Sequence, residues 1–310
     1  MRFRPFGLVL VLLSGLFVAL HDVRADDKLE VVATFSVVAD LTQRIGGEAI
    51  DLTTLVGANE DAHAYEPTAE AQRAVAAAQI VVANGLGFEP WLDRLVDAAQ
   101  FKGDLVVATK GIEPLALPDE HAEEEIAGGA DDHEHGANDP HAFQDPKLVL
   151  AYIDNIEAAL AKAAPAHATA FAANAERLKA DFRALDAELS ASIGGLPADR
   201  KHILTSHDAF GYFGRAYGID FIGVQGISTD SEPSAQDLKN VIEQIKVGKI
   251  KAMFIENMSD PRFIESIAAD TGIAVGGDLF ADALSGPEGP AGDLLSLFRH
   301  NERELLKALR

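Results

Sequence analysis

Apolar residues fall in short runs that recur along the chain. "LEVVATF" (29–35), "AIDLTTLV" (49–56), "QIVVAN" (79–84) and "DLVVAT" (104–109) form one set. "HILTS" (202–206), "IDFIGVQ" (219–225), "IKAMFIE" (250–256) and "IAVGG" (273–277) form a second. Runs this short and this rich in branched residues suit strands buried on both faces of a parallel sheet. Segments of helical composition separate them. In the first half these are "SVVADLTQRIGG", "PTAEAQRAVAAA" and "GFEPWLDRLVDAAQ"; in the second, "DAFGYFGRAYG", "SAQDLKNVIEQIKVG" and "DPRFIESIAADTG". Pro67 sits where a helix would start, and Gly46 and Gly272 where helices would stop. Ser234 with Asp237 resembles a capping box. The alternation predicts an α/β fold of two doubly wound (β/α)4 lobes.

One long rigid helix is expected to join the lobes. From Pro165 to Ile193 there is no glycine and no internal proline, and Phe171, Ala175, Leu178, Phe182, Leu185 and Leu189 fall on one helical face. Gly194, Gly195 and Pro197 end the pattern. Such a helix would be ~43 Å long, enough to run along both lobes. The spacing also fits a coiled coil, although so short a run packs equally well on the lobes themselves. The expected division is an export signal over 1–25, a first lobe over 26–164, the linking helix over 165–195 and a second lobe over 196–310.

Charge and cysteine usage narrow the function. The formal net charge is −23 at pH 7, which repels phosphate backbones and argues against a nucleic-acid partner. Arg2 and Arg4 precede an apolar run from Leu8 to Leu20, and Val23 and Ala25 make a small-x-small cleavage pattern. That run is shorter than the ~20 residues a membrane helix needs. The chain has no cysteine, hence no disulfide, no thiolate ligand and no thiol to take a lipid. The expectation is a soluble, monomeric protein exported to the periplasm.

Four side chains share a placement that bears on chemistry. His63 ("GANEDAHAYEP"), His141 ("NDPHAFQDP"), His207 ("LTSHDAFGYF") and Asp278 ("VGGDLFADAL") all follow predicted strands. Loops at the carboxyl ends of parallel strands are where open α/β sheets bind ligands. Three imidazoles and a carboxylate suit a transition metal. His167 and His300 read as surface residues of helices, His202 as a strand opener, and Phe88 and Trp91 as lobe core. Asp139 or Asp145, flanking His141, could orient its ring, with Asp145 equally suited to cap the following helix.

Together "DAHAYEPTAEA", "NGLGFEPWLD", "NDPHAFQDP", "SHDAFGYFGRAYG", "STDSEPSAQDL" and "GGDLFADAL" resemble the cluster A-I substrate-binding proteins of zinc and manganese ABC importers. The resemblance spans about residues 29 to 300. It implies two α/β lobes joined by a rigid helix, with metal ligands at His63, His141, His207 and Asp278. The fourth ligand position varies most within that family. Phe143 and Gln144 depart from its usual tryptophan and apolar residue. It further implies delivery to an inner-membrane ABC permease, with a metallochaperone as a further partner.

Zinc is the expected ion, because three nitrogens and one oxygen satisfy a tetrahedral site; Mn²⁺, which prefers more oxygens, is the alternative. Zinc-type members carry an acidic, His-rich insertion before the second ligand motif. Here residues 118–139 hold His121, His133 and His135 among many carboxylates, a composition suited to a mobile tether for auxiliary metal capture or to a solvated loop. Catalysis is disfavoured. A fourth protein ligand would close the position a catalytic zinc keeps open, and no H-E-x-x-H or G-x-S-x-G pattern occurs. A zinc hydrolase and a metal buffer remain the competing readings.

Overall fold

The computed structural model describes residues 28–117, 138–229, 235–247 and 250–310. The expected leader, Ser234 of the proposed capping box, and His121, His133 and His135 of the acidic loop lie outside the described residues.

In the first half β1 (Leu29–Phe35), β2 (Ile50–Val56), β3 (Ile80–Ala83) and β4 (Asp104–Val107) form a parallel sheet in the order β2-β1-β3-β4. Central β1 sets Val31 beside both Leu52 and Ile80. All four residues of β3 are buried, which is why that run lacks polar alternation. Helices α1 (Ser36–Gly46), α2 (Ala69–Ala77) and α3 (Leu92–Ala98) connect the strands. Thr68 caps α2 by accepting from the Ala71 amide, and Gly47 leaves α1 at φ 56°, a backbone region open to glycine. A short antiparallel pair, β5 (Leu115–Ala116) and β6 (Asn138–Asp139), precedes α4 (Pro146–Ala163), which Asp145 caps through the Lys147 amide.

Helix α5 (Ala168–Gly194) is the joint, ~40 Å long over its 27 residues. The expected stripe from Phe171 to Leu189 is buried in full, and Ile193 extends it. It packs on α1 and α4 from one half and on α6 and α9 from the other.

The second half repeats the order of the first. Its strands β7 (His202–Thr205), β8 (Asp220–Gly223) and β9 (Ala252–Met253) run parallel in the order β8-β7-β9, with α6 (Gly211–Tyr217), α7 (Ala235–Lys246), α8 (Arg262–Thr271) and α9 (Leu294–Leu309) around them. The predicted strand over 273–277 is not a regular one. Single bridges, Met253 with Val275 and Glu256 with Leu279, carry the chain along the sheet edge. A β-carbon on Gly276 would lie 2.4 Å from the Phe254 ring, and one on Gly277 2.1 Å from the Glu304 carboxylate. Two glycines therefore let the chain pass close to both neighbours, and the ladder breaks there.

Strand alternation divides the core. Ile203 joins one large apolar cluster that continues from the first sheet through α5 to Phe213, Leu294 and Phe298. Its neighbour Leu204 faces a smaller cluster with Val241, Met253 and Ile264. Polar ties also cross between the halves. The Asn59 amide donates to the Leu284 carbonyl at 2.9 Å, the Leu284 amide to Ser36 Oγ at 3.0 Å, and Arg44 meets Asp293 at 2.7 Å. The carboxyl edges of both sheets are thereby held face to face.

Candidate metal centre

Three loops bring in the imidazoles, each with its own fixing. In the loop after β2, Asp61 Oδ1 accepts from the His63 amide (2.9 Å), and the Trp91 indole donates to the Ala62 carbonyl (2.8 Å). The Phe88 ring packs 4.6 Å from the His63 ring. Both aromatics are core residues, as their sequence context suggests, and both also steady this ligand loop.

His141 follows β6. Asp139 Oδ1 lies 2.8 Å from both its amide nitrogen and its Nδ1. A proton on Nδ1 leaves the Nε2 lone pair free to bind. Asn84 at the end of β3 donates to the Pro140 carbonyl and accepts from Tyr152, so the loop is held from the sheet and from α4. Of the two flanking acids, Asp139 orients the ring and Asp145 caps the helix.

His207 follows β7. The Glu256 carboxylate, just beyond β9, accepts from the His207 amide at 2.9 Å and makes a short contact with Nδ1. Glu256 is an orienting residue that the sequence reading missed; the signal available was an acid closing the run "IKAMFIE". It is buried, and 49 residues separate it from His207.

These loops gather His63, His141 and His207 around Asp282, not Asp278. One donor atom from each of the four residues lies within 4.8 Å of the others. His63 Nε2 is 3.2 Å from His141 Nε2 and 3.2 Å from Asp282 Oδ2, His207 Nε2 is 2.9 Å from the same oxygen, and His141 Nε2 is 3.6 Å from Asp282 Oδ1. Asp278 is exposed, and its carbonyl accepts from His300 Nε2 at 2.9 Å. The carboxylate beside the three imidazoles thus lies four positions beyond the expected Asp278, because the chain runs on past the glycine pair and Leu279 bridges to Glu256 before turning inward. The sequence signal was an acid inside the apolar run "LFADAL". Elsewhere His202 pairs with Asp220 at 2.8 Å on the surface.

The cluster is almost closed to solvent. His141, His207 and Asp282 are 0% exposed and His63 is 4% exposed. Burial acts to lower the pKa of His207, but the Glu256 and Asp282 charges outweigh it and hold it well above the usual range. His141 is raised in the same way, burial being overcome by Asp282 and Asp139. Burial would push Asp282 up, yet His141 and His207 hold it well below the ordinary carboxylate range. Three imidazoles thus surround a carboxylate whose charged form two of them favour.

The donor geometry fits a transition ion. His207 Nε2 and Asp282 Oδ2 meet only other members of the cluster, at 2.9 Å from each other and, for Oδ2, 3.2 Å from His63 Nε2, and Asp282 Oδ1 has no hydrogen-bond partner, an arrangement that is costly unless another group satisfies it. An ion held tetrahedrally at ~2.0–2.1 Å places neighbouring donors ~3.3 Å apart, inside the range found here. His141 and His207 each offer Nε2 while a carboxylate holds Nδ1, the usual backing of a metal-bound histidine.

A two-lobed α/β chain with a rigid helical joint and a buried His₃Asp cluster between the lobes is, by fold and site, a substrate-binding protein for a metal ion. Residues 31–308 match the family model described as ZnuA, zinc-uptake complex component A, periplasmic. The chain belongs to this family of periplasmic metal-binding proteins of ABC importers. It is 32% identical over 291 residues to the manganese-binding lipoprotein MntA of Bacillus subtilis (strain 168), covering 92% of this chain and 91% of that protein. It is 30% identical over 270 residues to the iron-binding protein YfeA of Yersinia pestis, covering 87% of this chain and 83% of that one. The solved periplasmic zinc-binding protein TroA of Treponema pallidum superposes with a TM-score of 0.82 at 29% identity, over 91% of this chain and 99% of that one. Proteins of this family serve transport and are not enzymes; they work with a membrane permease and its ATPase.

Proposed function

We propose that this chain captures one divalent transition-metal ion through His63, His141, His207 and Asp282 and hands it to an ABC permease. The observation that carries the reading is the convergence of four buried donors, one atom from each lying within 4.8 Å of the others. Zinc is the ion favoured at equilibrium. Three imidazole nitrogens bind it more strongly than Mn²⁺ in the general order of metal affinities. The leader over 1–25 would direct export, and the acidic segment containing His121, His133 and His135 would concentrate cations near the site. The permease, or a metallochaperone acting in the opposite sense, would exchange the ion by separating the two halves.

A manganese cargo is the second reading, and one feature favours it. Asp282 Oδ1 has no hydrogen-bond partner and Oδ2 meets only the His207 and His63 rings, so the carboxylate can bind through both oxygens and raise the coordination number above four. The relatives named for manganese are consistent with this. Metal content of protein purified from the exported fraction without added metal decides between the two. A single zinc per chain supports the first reading, a single manganese the second, and no bound metal contradicts both.

Affinity should depend on pH in a defined direction. Each histidine binds only when its Nε2 is unprotonated, so protons compete with the ion. Because His141 and His207 are raised above the ordinary ~6.5, competition begins at higher pH than for free imidazole. Affinity should be full above the raised values and fall as the pH drops through them. Competition titrations with a chelator between about pH 8 and pH 6 should show more than a tenfold loss. A flat profile would mean that the imidazoles are not ligands.

A further inference from the structure

We infer that Gln144 is a positioning residue that fixes how the Asp282 carboxylate meets the ion and so sets the balance between manganese and zinc. This rests on the metal site proposed above. Gln144 stands three residues after His141, in the short helical turn Ala142–Gln144, and is fully buried. Its Nε2 donates to the carbonyl of Ala281 at 2.8 Å. That carbonyl belongs to the residue immediately before Asp282. The bond spans 137 positions and joins the His141 loop directly to the Asp282 loop.

The rest of the Asp282 segment is anchored on other elements. Asn301 of α9 accepts from the Phe280 amide (2.9 Å) and donates to the Phe280 carbonyl (2.7 Å). Past Asp282, the Leu284 amide is held by Ser36 and the Leu284 carbonyl by the Asn59 amide. Asn301 ties Asp282 to its own half, whereas Gln144 ties the adjoining peptide to the turn that carries His141. Of these ties, the Gln144 amide is the one that runs from the His141 turn itself to the peptide next to Asp282.

An apolar side chain here would fill the space and leave the Ala281 carbonyl a buried acceptor without a donor. The Gln144 Oε1 atom itself has no partner, so the amide is kept at a cost that volume alone does not explain. A small shift of the carboxylate weighs differently on the two ions. Zn²⁺ is satisfied by four donors, and three imidazoles supply most of its bonding. Mn²⁺ binds nitrogen weakly and depends on both carboxylate oxygens to complete a larger shell.

The test is Gln144→Met, which keeps volume and removes the donor, with folding checked by circular dichroism. Zn²⁺ and Mn²⁺ affinities are measured separately by competition titration. Mn²⁺ affinity should fall by ~10–100-fold, the usual effect of losing a group that supports a ligand, while Zn²⁺ affinity changes by less than about threefold. Equal losses for both ions, or no loss for either, would overturn the inference. Wild-type protein failing to bind either ion would instead overturn the site itself. If that variant does not fold, Gln144→Asn, which keeps an amide but draws it back from the Ala281 carbonyl, is titrated with the two ions in the same way. A loss confined to Mn²⁺ supports the inference; equal losses, or none, contradict it.

Discussion

Replacing His207 with alanine should weaken zinc binding by ~10²–10³-fold. Binding at structural zinc sites is worth about 10–16 kcal/mol over four donors, so one donor accounts for roughly 2.5–4 kcal/mol. His207 carries more than an average share of the architecture. It is the only imidazole of the cluster from the second half, and it stands between Glu256 and Asp282, 2.9 Å from the latter. Removing it leaves the buried Glu256 carboxylate without its ring partner and Asp282 without its nearest donor neighbour. Calorimetric titration of folded His207→Ala checks this, and affinity within threefold of wild type would remove His207 from the site. Glu256→Gln should have a smaller effect, since an amide oxygen can still accept from Nδ1 but supplies no charge to polarise the ring.

The second large effect separates two acids four positions apart. Asp282→Asn should lower affinity by at least ~10²-fold, because a neutral amide is a poor ligand and the only carboxylate of the donor set is lost. Asp278→Asn should change affinity by less than twofold, since Asp278 is exposed and its backbone carbonyl, not its side chain, is held by His300. Both variants keep side-chain volume, so calorimetry on the pair compares like with like. A strong effect at Asp278 with none at Asp282 would reverse the assignment made from the geometry. Asp282→Asn should also lower the raised pKa values of His141 and His207, because its charge is among the causes that raise them.

That pair of acids also marks how far the chain can be read without coordinates. Strand β1 coincides with "LEVVATF" to the residue, and the α5 stripe is buried at every expected position. Both are set by local pattern: a continuous apolar run in one case, a helical period in the other. His63, His141 and His207 could be picked out for a related reason. Each follows a parallel strand or a Pro-bounded turn by a few residues, so their placement needs only the sheet. Asp282 needs more. The chain keeps only single bridges past Met253, passes close to Phe254 and Glu304 at the glycine pair, and turns inward only after Leu279, a course that depends on neighbours from elsewhere in the sequence.

The orienting partners were hidden in proportion to their sequence distance. Asp139, two residues from His141, is legible as a flanking acid. Glu256 and Gln144 act on residues 49 and 137 positions away. Only the folded arrangement pairs them. The interlobe ties of Asn59, Ser36 and Gln144 are of the same kind. They make the site a product of both halves, which no local pattern encodes.

That joint enclosure is the central claim, and a crystal structure of the zinc-loaded protein with anomalous data at the zinc edge tests it most directly. The expected result is one peak per chain, ~2.0–2.1 Å from the Nε2 atoms of His63, His141 and His207 and from an oxygen of Asp282. A peak bound by residues of one half alone, or lying away from these four side chains, would contradict it.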